Sequence, residues 1–167
     1  MNTNTQRRLK NSYQQKPFSF VSKTCNFLIV GFFIPGFTAI ALLGLQMFLT
    51  FLGIECSLSW TIISSVMAVA AFILPYFFVR YFSKQNFRKV NMIPKIYFFN
   101  ILEYIFIQAS LIPLFTNGQS LCYGSGGQNG LELVFTAELS LPILIFLSWV
   151  FDMLHKKQLE QQTEINS

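Results

Sequence analysis

The chain has 167 residues, of which 53% are hydrophobic, 17% aromatic and 11% charged, and its formal net charge is +5. Soluble domains carry about 25% charged residues, and a soluble core of this size could not enclose so many apolar side chains, 20 phenylalanines among them. The composition therefore excludes a soluble globular domain and predicts an all-α, polytopic membrane protein.

Four apolar stretches are long enough to cross a bilayer, since a helical span needs about 20 residues. They cover about 26–53, 59–79, 96–116 and 133–154. These stretches predict a bundle of four transmembrane helices over residues 26–154, with a basic tail over 1–25 and a short polar tail over 155–167.

The first stretch is much longer than the roughly 7–15 apolar residues of a signal peptide, and no small-residue cleavage site follows it. We therefore expect it to be a retained span. Pro35-Gly36 lies about a third of the way along it. Because proline removes a backbone hydrogen bond and an adjacent glycine eases bending, this pair predicts a kink.

The second stretch carries small residues at helical spacing. Ser64, Ala68 and Ala71 are followed by Pro75, so the four positions share one face of a helix. Small side chains let two helix backbones approach closely in lipid. This face is predicted to be a packing seam of the bundle, and a groove for a cofactor is the alternative.

The segment between the second and third stretches is strongly basic. It carries Arg80, Lys84, Arg88, Lys89 and Lys95. All other Lys and Arg residues lie in the two tails, and the loops over 54–58 and 117–132 have none. Positive charge marks cytoplasmic flanks, so both termini are expected in the cytoplasm of a bacterial cell, with the spans in its inner membrane. The charge thus reflects topology, and no nucleic-acid partner is predicted.

Two of the three cysteines, Cys56 and Cys122, lie one in each outward loop, whereas Cys25 lies at the cytoplasmic mouth of the first span. In an oxidising compartment such a pair is expected to form a structural disulfide. Two free thiols and thiol–disulfide catalysis are the alternatives. A relay normally uses a CxxC pair, and the chain contains none.

Polar residues also occur inside the spans. Asn100, Glu103, Tyr104 and Ser110 share one face of the third, with Gln108 about 100° away, and Glu138 lies in the fourth. By helical rise, Glu103 lies roughly 10 Å from the inner face and Glu138 roughly 7 Å from the outer one. An ionised acid at such depth is costly unless it is paired or hydrated. The pattern predicts either a proton or cation path, or hydrogen bonds to another helix or a partner subunit.

The function expected from these features is contact inside the bilayer. No catalytic triad, zinc pattern or nucleotide motif is present, so no catalytic residue, metal or cofactor is predicted. The leading hypothesis is an accessory subunit or an immunity-type protein that binds another membrane protein or a second copy of itself. The alternatives are a thiol oxidoreductase using Cys56 and Cys122, and a small transporter or channel component using Glu103 and Glu138.

Overall fold

The computed structural model of the protein describes residues 19–33, 37–84, 93–123 and 131–165. Within these ranges the chain is helical apart from short connections, and no strand occurs in them. The described helices are α1 (Phe20–Phe33), α2 (Phe37–Phe51), α3 (Cys56–Lys84), α4 (Ile93–Phe115), α5 (Gly118–Tyr123) and α6 (Leu131–Ile165). The all-α prediction is confirmed.

Three of these helices are long and apolar enough to cross a membrane. The segments concerned are Cys56–Tyr81, Ile93–Phe115 and Leu131–Leu154. Helices α1 and α2 meet these criteria only as a pair, and a bend of 74° separates them. The described residues therefore hold three candidate spans, or four when the bent pair counts as one.

The predicted first span is not one continuous helix. Helix α1 begins at Phe20, six residues before the expected start at 26, and the chain bends sharply before α2. The predicted kink site, Pro35-Gly36, lies between the two helices and outside the described residues. A helix broken at this point exposes backbone groups that other elements must satisfy.

Helices α1 and α6 pack antiparallel. Along α1 and α6, the rings of Phe20 and Phe151 lie 6.1 Å apart, and the hydroxyls of Thr24 and Ser148 lie 2.6 Å apart. Farther along the same pair, a side chain at Gly31 would meet a methyl carbon of Leu141 at 3.3 Å. Helix α1 thus runs against α6 over its length.

Aromatic packing closes one end of the bundle. The ring of Phe99 stacks on that of Phe78 at 4.0 Å and lies 5.5 Å from the ring of Phe151. Phe20 also contacts Phe78 and Phe151. The basic residues with described side chains flank this cluster in the chain, and we call this the basic end: Lys23, Arg80, Lys95, Lys156 and Lys157.

The opposite end holds α5 and the turn between α2 and α3. Gly53 ends α2 with a φ of +88°, a left-handed conformation that glycine adopts without a steric penalty. Its N–H donates to the Thr50 carbonyl (2.9 Å), and the Ile54 N–H donates to that of Leu49 (3.1 Å). This pair of bonds is the Schellman motif, which stops a helix and satisfies its last carbonyls.

Helix α5 lies in the segment 117–132, which was expected to be a loop. The side chain of Asn117 accepts a hydrogen bond from the Ser120 N–H (2.8 Å) and caps the helix, and Leu121 is buried. A Cβ at Gly118 would lie 2.6 Å from the Ser57 carbonyl oxygen. This glycine therefore permits close contact with the start of α3. The loop glycines from position 124 onward lie outside the described residues.

Candidate functional site

A disulfide joins Cys56 of α3 to Cys122 of α5, with a Cα–Cα distance of 6.1 Å. The expected pairing is therefore present. Both cysteines are partly buried against an apolar cluster that includes Leu42 and Trp60. The Gln46 side-chain amide donates to the Cys56 sulfur at 3.1 Å. These contacts suit a bond that holds α5 against the bundle.

The third cysteine lies apart from this bridge. Cys25 is free and exposed on α1, one residue from Thr24, which bonds to Ser148 of α6. Thiol exchange in a relay needs a second thiol that can resolve a mixed disulfide. The chain contains three cysteines, and the third, Cys25, lies apart from Cys56 and Cys122. No other thiol is therefore present to resolve a mixed disulfide at the bridge.

At the basic end, α6 caps the start of α1. The carboxylate of Asp152 accepts hydrogen bonds from the Ser19 hydroxyl (2.8 Å), the Phe20 N–H (2.7 Å) and the Val21 N–H (3.2 Å). The Ser22 N–H donates to the Ser19 hydroxyl. A carboxylate is favoured here because the N-terminus of a helix carries a partial positive charge.

One turn deeper, three polar side chains join α1, α4 and α6. The Asn100 amide donates to the Thr24 hydroxyl (3.2 Å), which also bonds to the Ser148 hydroxyl (2.6 Å). All three residues are buried. Asn100 is thus committed to Thr24, although it shares a face of α4 with Glu103.

Glu103 is the most unusual residue of the bundle. It is fully buried in α4, and within the described part of the chain neither carboxyl oxygen has a hydrogen-bond partner. Two other polar residues of α4 bond elsewhere, since the Gln108 amide donates to the Leu133 carbonyl (2.8 Å) and Ser110 to that of Ile107 (2.7 Å). A buried polar group without a partner is costly.

The position of Glu103 follows from its helical register. It lies about one turn from Phe99, whose ring contacts Phe78 of α3 and Phe151 of α6. Residues three to four apart share a face of a helix. Glu103 therefore lies on the interior face of α4 that also carries Phe99 and Asn100.

Glu138 differs from Glu103 in being exposed. It lines a groove near the start of α6 together with Glu132, Phe115 and Phe135, whose rings lie 5.3 Å apart edge to face. One acid is enclosed by the bundle and the other lies on its outer surface. No hydrogen bond links their carboxyl groups, because neither oxygen of Glu103 has a partner among the described residues.

The small residues of α3 are only partly enclosed. Ser64 is buried and donates to the Thr61 carbonyl (3.1 Å), whereas Ala68 and Ala71 are half-buried. Ala71 packs against the cluster that contains Tyr104 and Leu144. The role of this stripe as a packing seam stays a prediction.

The basic segment between α3 and α4 has described side chains only at its two ends. Arg80 donates to the Tyr76 hydroxyl at 3.5 Å. Lys95 donates to the Tyr81 hydroxyl, and its ammonium lies 4.8 Å from the centre of that ring. Lys84 ends α3 with its side chain outside the described part, and Arg88 and Lys89 lie outside the described residues.

The site residues thus form three separate features: the bridge and α5 at one end, the enclosed acid in the middle, and the capped α1 at the basic end. Comparisons with protein-family models, with curated proteins and with solved structures find no match to this chain.

Proposed function

We propose that the protein is a four-span integral membrane protein, with both termini in the bacterial cytoplasm, that acts by contact with another protein in the bilayer. The contacts of α1 and α2 favour the interpretation that these two helices together form a fourth span. Helix α1 starts beside Phe151 at the basic end, and α2 reaches the cluster around Trp60, where Gln46 meets Cys56. A re-entrant pair would return to the end from which it started.

The orientation rests on charge. The described Lys and Arg residues flank the basic end, whereas Glu55 and Glu132 lie beside the disulfide end. Cytoplasmic flanks are enriched in Lys and Arg. The free Cys25 and the bridged Cys56 and Cys122 fit a reducing inner side and an oxidising outer side.

Reporter fusions test this orientation. An alkaline phosphatase fusion after Gly127 should be active, and a fusion after Asn91 should be inactive, because only an exported phosphatase folds with its disulfides. Tags at Met1 and Ser167 should both report the cytoplasm. An active fusion after Asn91 together with a dead fusion after Gly127 would reverse the proposed orientation.

The exposure of Glu138 is the observation that best supports a function by contact with another protein. It is exposed on α6 about 10 Å from the helix start at Leu131, by helical rise. A carboxylate that faces lipid at such depth is unfavourable by up to a few kcal/mol. A partner helix with a basic or amide side chain would remove this cost while covering Phe115 and Phe135. An accessory subunit or an immunity-type protein would act through such a surface.

A photocrosslinking amino acid at Phe135 tests this surface in living membranes. The matched control position is Phe72, which is 83% exposed on α3, away from the groove. We expect a discrete adduct from position 135 that is lost in the Glu138→Lys variant, and no discrete adduct from position 72. An adduct of twice 19.2 kDa would identify a second copy of the chain. Equal labelling at both positions, or none at either, would contradict the proposal.

The buried Glu103 favours a second candidate, a small transporter or channel component. A carboxyl group enclosed by the bundle without a partner is a typical feature of proton and cation paths. Proton flux into vesicles that contain the purified protein would support this function, provided that Glu103→Gln abolishes the flux.

The stability of a Glu103→Met variant separates the two functions. If the acid has no ligand, an apolar side chain of similar size removes an unsatisfied buried group, and stability should rise by about 1–3 kcal/mol. Thermal unfolding in detergent measures the change, with Ile101→Met on the exposed side of α4 as the control. A loss of stability would show that the carboxyl group binds a cation or water in the folded protein.

A further inference from the structure

An apolar groove runs between α3 and α4 at the basic end. It has a volume of about 370 Å³, and its walls include Leu74, Phe98 and Leu102. Lys95 and Tyr81 also line it, near the adjacent ends of α4 and α3, and we call this end its mouth. From Lys95 to Leu102 the helix rises about 10 Å. The groove therefore leads from the basic end toward the middle of the bundle.

Its mouth carries one positive charge without a negative counterpart. Lys95 is exposed and contacts the Tyr81 hydroxyl and ring face. No carboxylate pairs with this ammonium in the described ranges. An anion at the mouth would therefore complement Lys95, while the walls offer only apolar surface to whatever lies deeper.

We propose that this groove binds one anionic phospholipid, with an acyl chain along Leu74, Phe98 and Leu102 and the phosphate at Lys95. A phospholipid has these two parts, an anionic head and an apolar chain, in this order from the membrane surface inward. Basic pockets between transmembrane helices are known to recognise anionic head groups. The inference is independent of the partner surface around Glu138, which lies at the other end of the bundle.

Native mass spectrometry of the full chain in mild detergent tests the proposal, with phosphatidylglycerol and phosphatidylcholine of identical acyl chains as probes. We expect tighter retention of phosphatidylglycerol and a loss of this preference in Lys95→Gln. One basic residue near a membrane surface is worth about 1 kcal/mol, so the loss should be about fivefold. Lys156→Gln, which removes an exposed lysine from α6, is the charge control.

A second pair of variants tests the apolar part. Phe98→Ala should weaken retention of both lipids, whereas Phe72→Ala should not, although both side chains are largely exposed. A cooperative thermal unfolding transition in every variant confirms that the comparison is made on folded protein. The proposal is wrong if the two lipids are retained equally, or if Lys95→Gln leaves the lipid preference unchanged. It is also wrong if Phe98→Ala and Phe72→Ala have equal effects, or if removing lipid produces a dimer whose formation requires Phe98.

Discussion

Replacing either Cys56 or Cys122 by Ser is expected to lower the free energy of unfolding by about 3–4 kcal/mol. The bridge joins positions 66 residues apart, and closing a loop of this length restricts the unfolded chain. It also holds α5 in place, so its loss frees Leu121 from the apolar cluster that it completes. Thermal unfolding in detergent, with and without a reductant, measures the effect.

The controls for this prediction follow from the chain itself. Cys25→Ser should leave stability unchanged, because this thiol is free and exposed. The Cys56→Ser/Cys122→Ser double variant should be no less stable than either single variant, as one shared bond requires. Alkylation under denaturing, non-reducing conditions should label one cysteine per chain. Labelling of all three would mean that the bridge is absent.

The length of the apolar stretches and the position of the cysteines made much of the fold predictable. A run of about 20 apolar residues can satisfy its backbone in lipid only as a helix, and the stretches over 59–79, 96–116 and 133–154 are helical in the structure apart from Thr116, which follows the end of α4. The bridge was predictable because only Cys56 and Cys122 lie in loops on the same side of the predicted bundle.

The first span was harder to predict, because distant contacts set its limits. Residues 20–25 include Ser22, Lys23 and Thr24, and their polarity favours a tail. They are helical because the carboxylate of Asp152, more than 130 positions away, satisfies the first backbone amides of α1. The angle between α1 and α2 depends likewise on the surrounding helices, whereas a proline indicates only that a break is possible.

The hydrogen-bond partners of side chains inside the bundle could not be predicted from the sequence either. Helical periodicity puts Asn100, Glu103 and Tyr104 on one face of α4, and all three are buried. It cannot tell which helix each side chain meets. Asn100 bonds to Thr24 of α1, so Glu103 is left without the partner that a common face suggested. Glu138 has the same chemistry as Glu103, yet it lies on the outer surface of α6.

The Asp152→Ala variant is expected to lose about 2–4 kcal/mol of stability, because it removes three hydrogen bonds that a single carboxylate accepts. Hydrogen bonds to charged groups are worth about 1.5–3 kcal/mol each, and a favourable charge at a helix terminus adds up to about 2 kcal/mol. Since these terms are not additive and Asp152 is only half-buried, the expected total is smaller than their sum. Thermal unfolding in detergent measures it, with the exposed neighbour Met153→Ala as the control.

The part of the protein in which stability is lost tests whether Asp152 acts by capping the start of α1. Amide hydrogen exchange should rise at Phe20 and Val21, whose N–H groups lose their acceptor, and change little at Ile112 at the other end of the bundle. Ser19→Ala should cost less than Asp152→Ala, because it leaves both backbone bonds in place. The double variant should show coupling between the two positions, since the hydroxyl and the carboxylate are bonded to each other. Additive losses, or exchange that rises equally at both ends, would mean that Asp152 stabilises the bundle by some route other than the start of α1.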